Sequence, residues 1–275
     1  MLKLENVSYS YQKDGSDALK NLNMDFNKGS CIGLLGENGA GKSTIFLNML
    51  GIYKPTKGKV YYKGKPLSYK KKDLNDFRSK VSMVFQDPDQ QIFYSNVQED
   101  IAFALKNLRL PENVIEEKVQ KAMKDVGISH LADRPVHYLS YGQKKRVAIA
   151  GIIAMDCETI LFDEPTAGLD PSMTEAIKDL LAQLIAQGKN LIISSHDMDF
   201  IYDVCDYVYV ISHGALVTEG KTEEVFLEEK AIQDAGLIPP SLVRVHLHGG
   251  IPLFRKEEEL YAYLRKQNKK KEMPD

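Results

Sequence analysis

Cysteine is scarce in this 275-residue chain: Cys31, Cys157 and Cys205 stand far apart and in no CxxC pattern. Neither a disulfide framework nor a cysteine zinc site is indicated, and the usage fits a reducing cytoplasm. A charge excess is also missing. The 36 Lys and Arg residues face 38 Asp and Glu, a formal net charge of -2, which argues against a dedicated nucleic-acid binder. Long apolar runs are lacking too. The longest, AIAGIIAM (Ala148 to Met155), falls far short of the roughly 20 residues that cross a bilayer. The N-terminus MLKLENVSYSY has no apolar core of a signal peptide. If the chain works at a membrane, another subunit supplies the span. No internal repeat or low-complexity tract appears. Lysines do cluster locally: Tyr53 to Lys72 contains no acid, and Arg265 to Lys271 is basic again. Both read as solvated surface and chain end, with a contact to anionic lipid or a partner loop as the other reading.

What the chain does contain is a series of short apolar runs ending at small or acidic residues: CIGLLG, VSMVFQ, TILFDE, NLIISSH and YVYVIS. Near-continuous apolar runs suit strands covered on both faces, so a mainly parallel sheet is expected. Helical patterns such as STIFLNML and PSMTEAIKDLLAQLIAQG alternate with them, the second stopped by Gly188. The class is α/β. Residues 87–158 break the rhythm with three helical patterns, VQEDIAFALKN, NVIEEKVQKAMKDVG and KKRVAIAGIIA, and no convincing strand. They read as a helical subdomain inserted into a core made of residues 1–86 and 159–221. Residues 222–275 form a small C-terminal extension: a helix TEEVFLEEKAI, the turn GLIPP, a short strand VRVHL and a last helix KEEELYAYLRK.

Two motifs carry phosphate chemistry. GENGAGKST (Gly36 to Thr44) matches GxxxxGK[ST] between a strand and a helix, the context that the motif demands. Gly36, Asn38, Gly39, Ala40 and Gly41 wrap phosphate oxygens with backbone amides, Lys42 reaches the β- and γ-phosphates, and Ser43 and Thr44 open the helix. Ser43 is a ligand for Mg²⁺. TILFDEP supplies the partner: Asp163 stands where it holds the Mg²⁺ shell, and Glu164 where it orients or deprotonates the attacking water. NLIISSH ends a third buried strand with His196, placed beyond the same edge, where a histidine reaches a γ-phosphate. Gln86 follows VSMVF in the same manner and is a further candidate for the nucleotide and its Mg²⁺.

A second small-residue turn, LSYGQKKRVAIA (Leu139 to Ala150), opens onto a basic helix. Ser140 is a plausible N-cap, but Lys144, Lys145 and Arg146 in the first turns oppose the helix dipole unless an anion arrives. The loop therefore reads as a second phosphate site.

At these residues the chain resembles the nucleotide-binding subunits of ABC transporters. LSYGQ resembles the signature LSGGQ, with Tyr141 in place of the usual glycine, and AGLD (Ala167 to Asp170) resembles the loop after the acidic motif. The resemblance runs from Leu2 to about Lys221. It implies ATP and Mg²⁺ as cofactors, and a dimer in which Ser140, Gly142 and Gln143 of one subunit close over ATP in the phosphate loop of the other. Tyr11 matches the position whose ring stacks on adenine, although it also reads as a strand-face residue continuing Val7 and Tyr9. The stretches VFQDPDQQIFYSNVQEDIAFALKNL and GLIPPSLVRV resemble the ATPases of energy-coupling-factor importers, of the cobalt and nickel type. In that group the C-terminal region adds to the dimer contact, and the Gln86 loop receives a helix from a membrane subunit.

The resemblance implies a peripheral subunit on the cytoplasmic face of the membrane, partnered by a second ATPase subunit and by integral coupling and substrate-binding subunits. Both half-sites stand in one chain, which favours a homodimer. The alternative is a soluble ABC ATPase acting on nucleic acid or the ribosome; the spliced coiled coil or the second cassette of such proteins is missing, so no nucleic acid is expected. A kinase or GTPase does not explain LSYGQ, AGLD and His196 together. His246 and His248 share a face if VRVHL is a strand, but two ligands without a third seldom make a metal site.

Overall fold

The computed structural model describes residues 1–12 and 15–271; the side chains of Lys269 to Lys271 in the basic tail, and the last four residues of the extension, lie outside the described set. The chain opens with β1 (Leu2–Tyr9), β2 (Leu19–Asp25) and β3 (Cys31–Leu35), then α1 (Lys42–Met49). β4 (Lys57–Tyr62), β5 (Lys65–Pro66) and α2 (Lys71–Arg78) lead to β6 (Val81–Val84). The helices α3 (Val97–Asn107), α4 (Glu112–Asp125) and α5 (Tyr141–Ala154) follow without an intervening strand among the described residues. Then come β7 (Thr159–Asp163), α6 (Pro171–Ala186), β8 (Asn190–Ser195), α7 (Met198–Val204), β9 (Tyr207–Ser212) and β10 (Ala215–Lys221). The chain continues through α8 (Thr222–Leu227), α9 (Glu229–Asp234), α10 (Ser241–Gly249) and α11 (Glu257–Lys271).

The larger sheet runs β10-β9-β3-β8-β7-β6, parallel throughout except for the antiparallel β9/β10 pair. The apolar runs have a direct physical reason. Successive residues of one strand serve opposite cores: Cys31 and Leu35 of β3, Ile160 and Phe162 of β7, and Leu191 and Ile193 of β8 face the helices α3 to α7. Ile32, Leu34, Leu161 and Ile192 face the other side, toward α1 and β1. Since both faces are covered, every position must be apolar or small. Gly33 in β3 is small for this reason: a Cβ there would stand 2.9 Å from Ile201 of α7.

Register fixes the site. Leu35 pairs with Ser195, Asp163 with Ser194, and Val84 with Phe162, so the carboxyl ends of β3, β6, β7 and β8 lie at one edge. A second sheet, β2-β1-β4-β5, is antiparallel and was not read from the sequence. The register of β1 against β2 is irregular, with shifts between Leu4 and Val7 and again between Val7 and Tyr9. Burial also brings Cys31 and Cys205, remote in sequence, to 3.6 Å sulfur to sulfur as free thiols.

Two expectations for the extension are corrected. VRVHL is not a strand but part of α10, which starts straight after Pro240 with the Ser241 N–H donating to Asp199 at 2.7 Å. On a helix His246 and His248 no longer share a face: His246 Nδ1 lies 2.7 Å from the carbonyl of Ile251, and His248 lies 3.5 Å from Glu229. TEEVFLEEKAI is not one helix either, because the backbone leaves helical geometry at Glu228 (ψ 61°) and restarts as α9.

Candidate active site

The loop between β3 and α1 is built for close approach. A Cβ on Gly36 would stand 2.5 Å from the carbonyl of Ile211, and Gly41 has φ 108°, a conformation that side chains avoid. Helix α1 starts at Lys42 with no side-chain cap and no acid in its first turn. Its leading N–H groups are therefore left for an anion. Ala40, Lys42 and Thr44 are buried in this turn, whereas Ser43 is exposed. The Lys42 ammonium donates to the carbonyls of Gly36 at 2.6 Å and Glu37 at 3.2 Å, curling over the loop that it serves.

Opposite stands the end of β7. Asp163 accepts from Ser43 Oγ at 2.8 Å through one oxygen and from Ser194 Oγ through the other. Glu164 follows with φ 47°, an unusual conformation for a side chain with a Cβ, held by its N–H on the Ser194 carbonyl at 3.0 Å. Such strain costs on the order of 1–3 kcal/mol. Here it turns the carboxylate back over the loop, between His196 and Lys42. Glu164 Oε2 lies 2.8 Å from His196 Nδ1, while Oε1 faces Lys42 Nζ at 3.7 Å. That Oε1 is buried and has no hydrogen-bond partner among the described residues.

Lys42, Ser43, Asp163 and Glu164 line a cleft of about 570 Å³, together with Asn38, Gly39, Gln86 and Tyr11. His196 is not among the lining residues; more than half exposed, it adjoins the cleft through its contact with Glu164. Tyr11 lies beyond the end of β1, so it is not a strand-face residue; its ring is 61% exposed and its hydroxyl lies 2.7 Å from Thr44 Oγ1. It packs edge-on against Tyr9 and Tyr53, which stack on one another.

The second loop caps α5. Ser140 Oγ accepts from the Gln143 N–H at 3.3 Å, and the Ser140 N–H donates to the Gln143 side chain at 3.0 Å, a reciprocal capping box. Gly142 is buried against Met173 of α6, where a Cβ would meet the sulfur at 2.5 Å. Ser140, Gly142 and Gln143 do not line the cleft of their own chain.

Comparison with known proteins decides the family. The ABC transporter family matches residues 19–167. This chain belongs to the ABC transporter family. It is 45% identical to the cobalt import ATP-binding protein CbiO of Salmonella typhimurium over 97% of both chains. It is 48% identical to the energy-coupling factor transporter ATP-binding protein EcfA of Methanocaldococcus jannaschii, over 86% of this chain and 85% of the other. Among solved structures it is similar to CbiO1 of Clostridium perfringens, part of the ABC transporter complex CbiONQ (TM-score 0.76, 42% identity, 89% of this chain and 98% of that one). A dimeric cassette, MJ0796, bound to ADP and Pi, is more distant at 28% identity (TM-score 0.74, 81% of this chain and 99% of that one). The resemblance to the energy-coupling-factor and cobalt group is thus established, and with it an ATPase that binds ATP and couples hydrolysis to transport.

In this ABC ATPase the fold brings Gly36 to Thr44, Gln86, Asp163, Glu164 and His196 to one edge. It does not bring the signature residues there. The basic residues at the start of α5 have partners of their own and so give no support to a phosphate site there. Lys144 pairs with Asp89 at 2.7 Å, Arg146 donates to the Val126 carbonyl at 3.4 Å, and Lys145 is fully buried, its ammonium on main-chain carbonyls. Burial pulls the Lys145 pKa from 10.5 down to about 8, partly offset by the nearby Asp163, Glu164 and Asp87 carboxylates. The sequence shows that charge but not its direction. The available signal was spacing: Lys145 is one helical turn after Tyr141, on the same face.

Proposed function

We propose that this ABC ATPase is the motor subunit of a membrane importer, acting as a dimer at the cytoplasmic face and driving uptake of cobalt or nickel. The carrying observation is a separation. One complete phosphate cradle, with Lys42, Asp163 and Glu164, lies in a cleft that the chain's own signature loop does not line. A second copy supplies that loop: Ser140, Gly142 and Gln143 close over nucleotide held by the partner's Gly36 to Thr44. The dimeric cassette with ADP and Pi supports this arrangement, and the relatives' names for cobalt import and energy coupling favour import over a machine on nucleic acid.

Tyr11 lays its exposed ring on the adenine, and Lys42 balances the β- and γ-phosphates. The residues present fit Mg²⁺. Ser43 and Asp163 already set two hard oxygen donors side by side, and an ion that takes one or two carboxylates plus phosphate oxygens needs no cluster of three acidic or histidine ligands; none occurs among the described residues. Gln86 completes the set from the opposite loop. When bound, the ion neutralises charge on the phosphates. Glu164 takes the proton of the attacking water, and His196 orients that carboxylate and reaches for the γ-phosphate. Residues 87–158 move as the signature subdomain, and the extension 222–275 adds to the dimer contact. Integral coupling and substrate-binding subunits supply the span; among the described residues no helix is long and apolar enough to cross a membrane.

Lys42→Ala tests the cradle. Loss of an ammonium that faces phosphates in a partly desolvated loop weakens ATP binding by about 100-fold or more in a fluorescent-nucleotide titration. Near-normal affinity in the variant contradicts the assignment.

A further inference from the structure

We propose that Lys145 and Tyr141 are positioning residues that grip the main-chain carbonyl of Gln86, so that the start of α5, the Gln86 loop and Glu164 shift as one piece. The inference deepens the function proposed above and rests on it.

Lys145 has 0% exposure and pairs with no carboxylate among the described residues. Its ammonium instead donates to the carbonyls of Gln86 at 2.7 Å, Glu164 at 3.1 Å and Phe85 at 3.4 Å. A buried ammonium is expensive unless its hydrogen bonds are placed. An apolar side chain of the same length would fill this space at lower cost, so the three donors are what the lysine contributes. They join the segment after β6 to the segment after β7, from a helix that belongs to neither.

Tyr141 lies one turn earlier and acts on the same atom, its hydroxyl donating to the Gln86 carbonyl at 3.1 Å. Its ring lies on Gly168 of the AGLD loop, where a Cβ would stand 3.1 Å from the ring edge. The bulk of Tyr141 thus has a place: it spans from the Gln86 loop to the loop after Glu164. Gln91 adds a third link, accepting from the Phe85 N–H at 3.1 Å and donating to the Ala148 carbonyl of α5 at 3.0 Å.

The Gln86 side chain stays free to line the cleft while its carbonyl is fixed from behind. Glu164 is fixed from both sides, by Ser194 on its N–H and by Lys145 on its carbonyl. Movement of α5 is therefore transmitted to a nucleotide-facing side chain and to the strained acid without a contact to nucleotide.

The test is steady-state ATP hydrolysis by the full chain with Lys145→Met, Lys145→Gln, Tyr141→Phe and the Met/Phe double variant. Lys145→Met keeps the volume without the donors, and lowers kcat at least about tenfold with KM for ATP within about threefold. Lys145→Gln restores N–H donors without the charge and recovers most of that loss. Tyr141→Phe lowers kcat in the wild-type background and adds little to Lys145→Met, since both act on one carbonyl. The proposal is overturned by a wild-type kcat in Lys145→Met, by equal losses in the Met and Gln variants, or by a Tyr141→Phe effect of the same size in both backgrounds. Should Lys145→Met fail to fold, Tyr141→Phe at its more exposed position carries the test alone, and an unchanged kcat there overturns the proposal. A wild-type chain without hydrolysis overturns the motor reading and this inference with it. Hydrolysis unaffected by the variants overturns the inference only.

Discussion

Lys145 shows how much a single side chain can hide from a sequence. As one of three basic residues at a helix start it reads as anion-seeking, yet its stem folds back into the protein and its charge is solvated by carbonyls. The burial has a consequence for stability. The folded chain gives up this proton near pH 8, whereas an unfolded lysine holds it to about 10.5. Between those values the unfolded state binds more protons, so the group's contribution to stability rises with pH through that window. Below it, both states carry the charge and the folded state bears the whole desolvation cost. Facing groups are Asp163, Glu164 and Asp87, which favour the charged form and limit the shift. Denaturant melts of the wild type and Lys145→Met between about pH 7 and 10 are expected to diverge in favour of the wild type as pH rises, by about 3 kcal/mol at most. A difference independent of pH contradicts the assignment of Lys145 as a charged, buried group.

At the scale of the element, α5 is held at its start by a two-way cap. Ser140→Ala removes the acceptor for the Gln143 N–H, and an N-cap of this kind is worth about 1 kcal/mol. A fall in Tm of about 2–4 °C follows for a chain of this size, readable by calorimetry. No change would mean that the cap contributes nothing. Helix α5 also marks where the sequence was legible. LSYGQ announced both the cap and the helix because capping chemistry is local. The five strands of the parallel sheet were legible for a related reason: a strand covered on both faces must be apolar along its whole length. β1 and β2 lie over one core only, with exposed residues between the buried ones and shifts in register, and β4 buries Val60 alone, so their pattern fades. VRVHL failed in the opposite sense. Its alternation is too short to separate a strand from a helix, and the deciding contact, the Ser241 N–H on Asp199, comes from a segment 42 residues away.

For the whole molecule, the sheet edge carries the account. Four strands end in register, and their following loops deliver the cradle, Gln86, Asp163 with Glu164, and His196 to one place. That convergence was legible because each motif sits directly after an apolar run. The pairing of His196 with Glu164 was not, because it depends on strand order, and the separation of Ser140 from the cleft was implied by the family resemblance alone, because it depends on the path of the helical segment. In the proposed dimer the single chain is half of two sites, and this is the claim most open to direct test. Glu164→Gln keeps the shape of the side chain, leaves the cradle intact and is expected to slow hydrolysis by about 10²–10⁴-fold, the worth of a positioned base. ATP then stays bound between two copies. Light scattering of this variant is the decisive measurement: a stable dimer in ATP and Mg²⁺, a monomer in ADP, and no dimer once Ser140→Arg is added are the results expected. A Glu164→Gln chain that stays monomeric at saturating ATP across a wide range of protein concentration would contradict the shared site.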